Sequence, residues 1–321
     1  MLLSIQHKTE LSYAEPISES VMELRMMPRS DAQQTLRTFG LAVGPEAPVF
    51  EHLDWQGNRA HHFSIVDVHD KVVIVASSVV DTHPRLPQLE QLADMLPLAG
   101  IGHRYQDFLM SHGPVQKDVR LTQFAEQLGL FTEKKAAVVL SGVTSRLREL
   151  VHYTKGVTNS STSVSDVLDL GQGVCQDFAH VALSLLRMLG VPSRYVSGYL
   201  FRPSSAELET HAWVEAFMPS VGWIGLDPTH GEVASESHIA VAMGRSYADV
   251  PPNRGVYRGG AEERIDVSVR IQRLEPVAEL QPLAMQRPEA RLLTNHVARE
   301  RRLDLHALEQ QRQEQQQQQQ Q

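Results

Sequence analysis

Gly171-Gln-Gly-Val-Cys-Gln-Asp-Phe-Ala-His180 is the stretch on which the reading of this chain turns. Its cysteine, Cys175, is the only one in 321 residues. It follows a loop containing Gly171 and Gly173, and it opens an apolar run in which Phe178, Ala182, Leu185, Leu186 and Leu189 share one broad face. That period predicts a helix from about Cys175 to Leu189, closed by Gly190 and Pro192. Cys175 then lies at a helix N-terminus, where unpaired N–H groups and the positive end of the helix dipole favour a thiolate. Gly173 leaves room for a substrate or for the chain itself to come close. The plain alternative is a buried, inert cysteine acting as a small hydrophobe.

A nucleophilic thiol needs a base. With 15 histidines in the chain, presence alone selects none of them. In His211-Ala-Trp-Val-Glu-Ala-Phe-Met218 the side chains alternate. His211, Trp213, Glu215 and Phe217 take one face; Ala212, Val214, Ala216 and Met218 take the other, which suits a core. The following segment, Pro219-Ser-Val-Gly-Trp-Ile-Gly-Leu-Asp-Pro-Thr-His-Gly231, reads as a hairpin return. If Met218 pairs with Gly222, Asp227 falls opposite Trp213, diagonal to His211 and on its face. Diagonal neighbours lie about 7–8 Å apart, within reach of a carboxylate and an imidazole. A loop one residue longer would turn Asp227 to the wrong face. In the first register Asp227 would hold the imidazole tautomer and support its charge. The alternative for an Asp-Pro at a strand end is a turn former.

Outward from this segment, the order of elements predicts an α+β fold. Residues 1–82 read as a β-sandwich-like domain. Alternating or β-branched runs (Leu3 to Tyr13, Val21 to Met26, Phe63 to Val68, Lys71 to Val80) are separated by turn signals such as Glu15-Pro16 and Gln56-Gly57-Asn58. A Pro-rich linker runs from His83 to Pro97. The core, 83–280, adds helices at Leu121–Leu130 and through Val139, Val143, Leu147 and Leu150. Strands are expected over Arg194–Phe201, His211–Met218, Gly222–Asp227 and Arg264–Ile271. Residues 281–321 form a Gln-rich tail, expected to be disordered or partly helical.

Composition narrows the function classes. At 42% hydrophobic and 21% charged, the chain can build a sizeable core without a disulfide or a structural metal. One cysteine excludes a disulfide scaffold and a multi-cysteine zinc site. A net charge of -8 argues against nucleic acid as a partner. No apolar run is long enough to span a bilayer and the N-terminus lacks a signal-peptide pattern, so no membrane association and a cytoplasmic location are expected. There is no P-loop, no G-x-S-x-G elbow and no calcium-loop pattern, and His180, Asp177 and His230 lack metalloprotease spacing. No metal and no cofactor are expected.

GVCQDFAH, PSRYVSGYL, HAWVEAF and GWIGLDPTHG together resemble the transglutaminase-like superfamily, and more narrowly its bacterial cytoplasmic branch. The resemblance extends back through Tyr153, Thr158 and Thr162, and forward through Ile239 to Pro252. It includes the N-terminal module with Tyr13, Pro16, Ser20 and Leu24-Arg25, and covers about residues 1–275. It implies a papain-like core, with the cysteine at a helix N-terminus packed on an antiparallel sheet. It implies a triad of Cys175 as nucleophile, His211 as base and then acid, and Asp227 as orienting group. Asp177, His180, Tyr199 and Trp213 belong to the same motifs and are expected to line the cleft for substrate. The Cys175 backbone N–H would be one oxyanion donor, and Tyr153 and Gln172 are candidates for the second. The implied reaction is acyl transfer from a peptide or protein amide through a thioester, to water in a peptidase or amidohydrolase. The alternatives are transfer to an amine, as in a transglutaminase, and a non-catalytic binding module. The N-terminal domain and the tail are where an oligomer contact or protein partner would attach.

Overall fold

The computed structural model describes residues 1–84, 89–203 and 210–275. The expectation for the tail, 281–321, lies outside these residues, as does part of the expected linker.

The chain begins with β1 (Leu2–Leu24), followed by β2 (Gln34–Gly44), β3 (Phe50–Leu53), β4 (Arg59–Ile65) and β5 (His69–Thr82). Glu15-Pro16 was expected to end a strand; instead β1 continues through it for 23 residues. Its ladder to β5 is broken between Ser12 and Ile17, and Glu19 takes a positive φ of 55°. Proline has no N–H to donate, so the strand changes partners here instead of turning back. The first half pairs with β5; the second pairs with β4. Leu11, Tyr13, Ile17, Met22, Leu24, Phe63, Val72 and Ile74 are buried together between these halves.

The helical part carries α1 (Val119–Gln127), α2 (Ala136–Arg146), β6 (His152–Tyr153), α3 (Val164–Leu170), β7 (Gln172–Gly173) and α4 (Cys175–Met188). Residues 178–187 of α4 are all buried, on an antiparallel sheet of β8 (Ser193–Leu200), β9 (Thr210–Met218), β10 (Gly222–Asp227), β11 (Glu232–Val233) and β12 (His238–Gly244). The sheet order is β11-β10-β9-β8-β12. The fold is therefore mixed α and β, with a β-rich N-terminal part and a core in which α4 packs on an antiparallel sheet.

Two strands lie differently from the sequence expectation. β13 (Asn253–Arg258) and β14 (Glu263–Arg273) return to the N-terminal sheet, where both pair antiparallel with β1. These two strands, expected within the core, add to the N-terminal sheet. Val269 and Ile271 join Leu3 and Ile5 in the same hydrophobic core as α4.

Side-chain amides cap the outer edge of β12, which is buried. Gln34 donates to the Ala240 carbonyl and accepts from the Ala240 N–H, both at 2.8 Å. Asn58 does the same with Met243 at 2.9 Å. The two amides stand in for the missing strand neighbour, and the β12 register shift between Ala240 and Ala242 lies between them.

Candidate active site

Cys175 is the first residue of α4, so its backbone N–H has no acceptor within the helix. Val174, in extended conformation, caps the helix. Asp177 bonds back to the cap: its Oδ2 accepts from the Val174 N–H at 2.8 Å and from the Thr158 hydroxyl at 2.6 Å. A Cβ on residue 173 would lie 2.7 Å from this carboxylate, so Gly173 serves the close approach of the chain.

The β9–β10 hairpin has the register that the sequence required. Met218 pairs with Gly222 and Val214 with Leu226, which sets Asp227 one step beyond, across from Trp213. Asp227 Oδ2 lies 2.8 Å from His211 Nε2. That engages one ring nitrogen and leaves Nδ1 for Cys175, which lines the same cavity as His211 and interacts with its ring. Burial disfavours a charge on His211, but the Asp227 hydrogen bond and the contact with Cys175 outweigh it, and the imidazole is pushed up to about 9. Burial also disfavours charge on Asp227; the hydrogen bonds from His211, His230 and His238 overcome this and hold the carboxyl far below the usual range. The sequence-predicted Cys175, His211 and Asp227 are thereby brought into one chain of contacts.

A cavity of about 230 Å³ opens beside Cys175 and His211. Tyr153, Gln176, Tyr195, Ser197, Thr210 and Tyr247 contribute to its wall. Of the two oxyanion candidates, Tyr153 lines this cavity and Gln172 does not. The two neighbouring strands explain the difference. Tyr153 pairs with Gly173, whereas Gln172 pairs with His152, one residue further from the cysteine.

The four residues expected to line the cleft are not among its lining residues, and each has a structural reason. Asp177 is fully buried in the cap just described. His180 is buried under Tyr195, and its Nε2 accepts from the Tyr247 N–H at 3.1 Å; burial pushes the imidazole down to about 3. Tyr199 is buried, with its hydroxyl 2.9 Å from His7 Nδ1 on β1. Trp213 is fully buried among Val196, Ala234, Ala240 and Met243, and its ring stacks on His211 at 6.1 Å and 24°. It supports the imidazole from the protein side.

Sequence reading missed Tyr195, Tyr247 and His238. The first two lie in quoted motifs, and Tyr195 is a strand neighbour two residues from Ser197 on the same face. His238 carried no local signal. Among the described residues, two groups have donor atoms close enough to hold a metal, His211 with Asp227 and His230, and Asp227 with Glu232 and His238. The Asp227–histidine separations of 2.8, 2.8 and 3.1 Å are those of hydrogen bonds.

Residues 124–228 match the transglutaminase-like superfamily and residues 3–81 the bacterial transglutaminase-like N-terminal region. An uncharacterised protein of Mycobacterium leprae is 31% identical over 279 residues, which span 85% of this chain and 99% of the relative. A protein-glutamine gamma-glutamyltransferase of Pseudomonas aeruginosa is 31% identical over 162 residues, 46% of this chain but only 24% of the transferase. The crystal structure of a candidate cysteine protease from Cytophaga hutchinsonii superposes with a TM-score of 0.74 at 23% identity, over 89% of this chain and 94% of the other. That structure shares the fold. Matched in its core, in its N-terminal region and along nearly all of the mycobacterial relative, the chain belongs to the transglutaminase-like superfamily, among the members with the bacterial N-terminal region.

Proposed function

We propose that this chain is a cysteine-dependent peptidase or amidohydrolase with Cys175, His211 and Asp227 as its triad. The observation that carries the reading is the 2.8 Å contact of the buried His211 imidazole with Asp227, with Cys175 at the helix N-terminus on the wall of the same cavity as His211. The imidazole, pushed up to about 9, favours its charged form, and a thiolate beside it is the resting state that this reading requires.

The thiolate attacks the amide carbonyl carbon, and the oxygen takes up negative charge near the Cys175 N–H, with Tyr153 as the second donor. The C–N bond breaks as His211 gives its proton to the leaving amine, leaving a thioester. Neutral His211 then takes a proton from water. The C–O bond forms, the C–S bond breaks, and the ion pair is restored with a carboxylic acid as product. Asp227 keeps Nε2–H pointed at itself throughout, so that Nδ1 carries the transferred proton.

A second reading is supported by the similarity to the Pseudomonas transferase: the thioester is taken by a primary amine. The same Cys175 and His211 steps apply, with the amine nitrogen replacing water. Incubating the protein with a library of peptide amides, with and without monodansylcadaverine, distinguishes the two by product mass. The hydrolase reading expects acid products in both conditions, absent in Cys175→Ala. Amine conjugates as the main product would favour the transferase, and turnover no greater than that of Cys175→Ala would overturn both.

A further inference from the structure

Asp227 serves more than His211. Its Oδ2 accepts from three imidazoles: His211 Nε2 at 2.8 Å, His230 Nδ1 at 2.8 Å and His238 Nε2 at 3.1 Å. Its Oδ1 accepts from the backbone N–H groups of Thr229 and His230. Among these donors His238 is distinctive. It comes from β12 on the far edge of the sheet, it is 1% exposed, and the sequence gives it no link to the motifs.

The tautomer of His238 follows from its partners. The Ser235 backbone N–H points at Nδ1 at 3.0 Å, and a backbone N–H can only donate. A neutral imidazole has one lone pair, so Nδ1 uses it here and Nε2 must carry the hydrogen. A doubly protonated ring would put two N–H groups face to face at Ser235. His238 is therefore a neutral donor to Asp227, and its Nε2 has no lone pair to offer a metal.

We propose that His238 is a positioning residue of the triad, a neutral imidazole that draws on the same Asp227 oxygen as His211 and so sets the pH at which His211 gives up its proton. This rests on the thiolate–imidazolium reading above. Other groups facing His211 are Cys175 from α4, Asp227 from β10 and His230 from the turn after it, with Trp213 against the ring. Glu232 of β11 lies close to Asp227 and His238. Thr229 and His230 hold the other side of Asp227, so the carboxylate keeps its place when His238 is lost. The consequence is then one of charge. An oxygen with one donor fewer offers more to His211, which keeps its proton to higher pH.

Long-range proton–nitrogen NMR of histidine-labelled protein tests this, with resonances assigned from single substitutions. In the wild-type protein His238 should report a neutral Nε2–H ring between about pH 5 and about pH 9, across the ordinary histidine range. His238→Phe keeps the ring and removes the donor, and should raise the His211 midpoint by about half a pH unit or more. His238→Gln returns an N–H near the Nε2 position and should bring the midpoint back toward wild type. A His238 ring that is Nδ1–H or charged in this range overturns the proposal without any variant, even if His238→Phe fails to fold. So does a folded His238→Phe whose His211 titrates as in wild type. If wild-type His211 titrates at an ordinary value and Cys175 alkylates slowly, the triad reading itself fails and this proposal falls with it.

Discussion

His211 Nε2 and Asp227 Oδ2 lie 2.8 Å apart across the β9–β10 hairpin, with the imidazole 8% exposed and the carboxylate fully buried. The contact exists because the hairpin loop places Met218 opposite Gly222. Asp227→Asn keeps the size and removes the charge that supports an imidazolium. The substitution should lower amide turnover on the order of 10³–10⁴-fold, as expected when a triad acid becomes its amide. Steady-state rates on any amide that the wild-type protein cleaves would check this. A loss of less than tenfold would mean that Asp227 does not support the base.

Stability should fall on both sides of neutrality, for different residues. Burial pushes His7 down to about 4 and His180 down to about 3, so each stays neutral in the fold while the unfolded chain takes up protons below about 6.5. Their contribution is present above about 6.5 and is lost as the pH falls through these folded values. The sign is opposite for His211, pushed up to about 9: its contribution is complete below about 6.5 and is lost as the pH rises toward 9. Urea denaturation across this range should show a maximum between the two limbs. At about pH 5 His7 and His180 should each cost roughly 2 kcal/mol. His180→Gln should flatten the acid limb and Cys175→Ala the alkaline one. Limbs of unchanged slope would remove these assignments.

Asn58 carries β12 on both atoms of its amide. Asn58→Ala leaves the Met243 N–H and carbonyl without these partners in a buried setting and should cost about 1–3 kcal/mol. Because β12 also presents His238 to Asp227, the variant should raise the His211 midpoint as well as lose stability. Urea midpoints equal to wild type would show that the edge is held by other contacts.

Gly198 pairs with His211 in the β8–β9 ladder. A Cβ at this position would lie 2.1 Å from the Ile239 carbonyl and 2.7 Å from the Trp213 ring, so β12 or the indole must move. Gly198→Ala should therefore destabilise by about 1–3 kcal/mol or more, through overpacking. The folded fraction should also react more slowly at Cys175, because Trp213 backs the imidazole. Full reactivity would mean that the stack on His211 is dispensable.

What could be read from the sequence was local. The helix from Cys175, the alternation of β9 and the register across Pro219–Val221 depend on residues within a few positions of one another, and the register suffices to set Asp227 beside His211; the packing of α4 that brings Cys175 to them is long-range. The return of β13 and β14 to β1 depends on partners such as Thr9 and Val267, far apart in the chain, and no local pattern announces it. Pro16 reads as a turn until the second set of partners for β1 is known. Asp177, His180, Tyr199 and Trp213 are close in sequence to the reacting residues, but proximity in a motif does not say on which side of the sheet or helix a side chain lies. All four pack inward, as cap, core and support. His238 reaches Asp227 from another strand, a relation that only the fold provides.

The most direct test of the account is the rate of iodoacetamide alkylation of Cys175 as a function of pH, by intact mass, in the wild-type protein and in His211→Ala. The account predicts fast labelling well below pH 7 that is lost in His211→Ala, the behaviour of a thiolate held by an imidazolium. Slow labelling that rises only near about 8.5, the value of a free thiol, and that is unchanged in His211→Ala would contradict it.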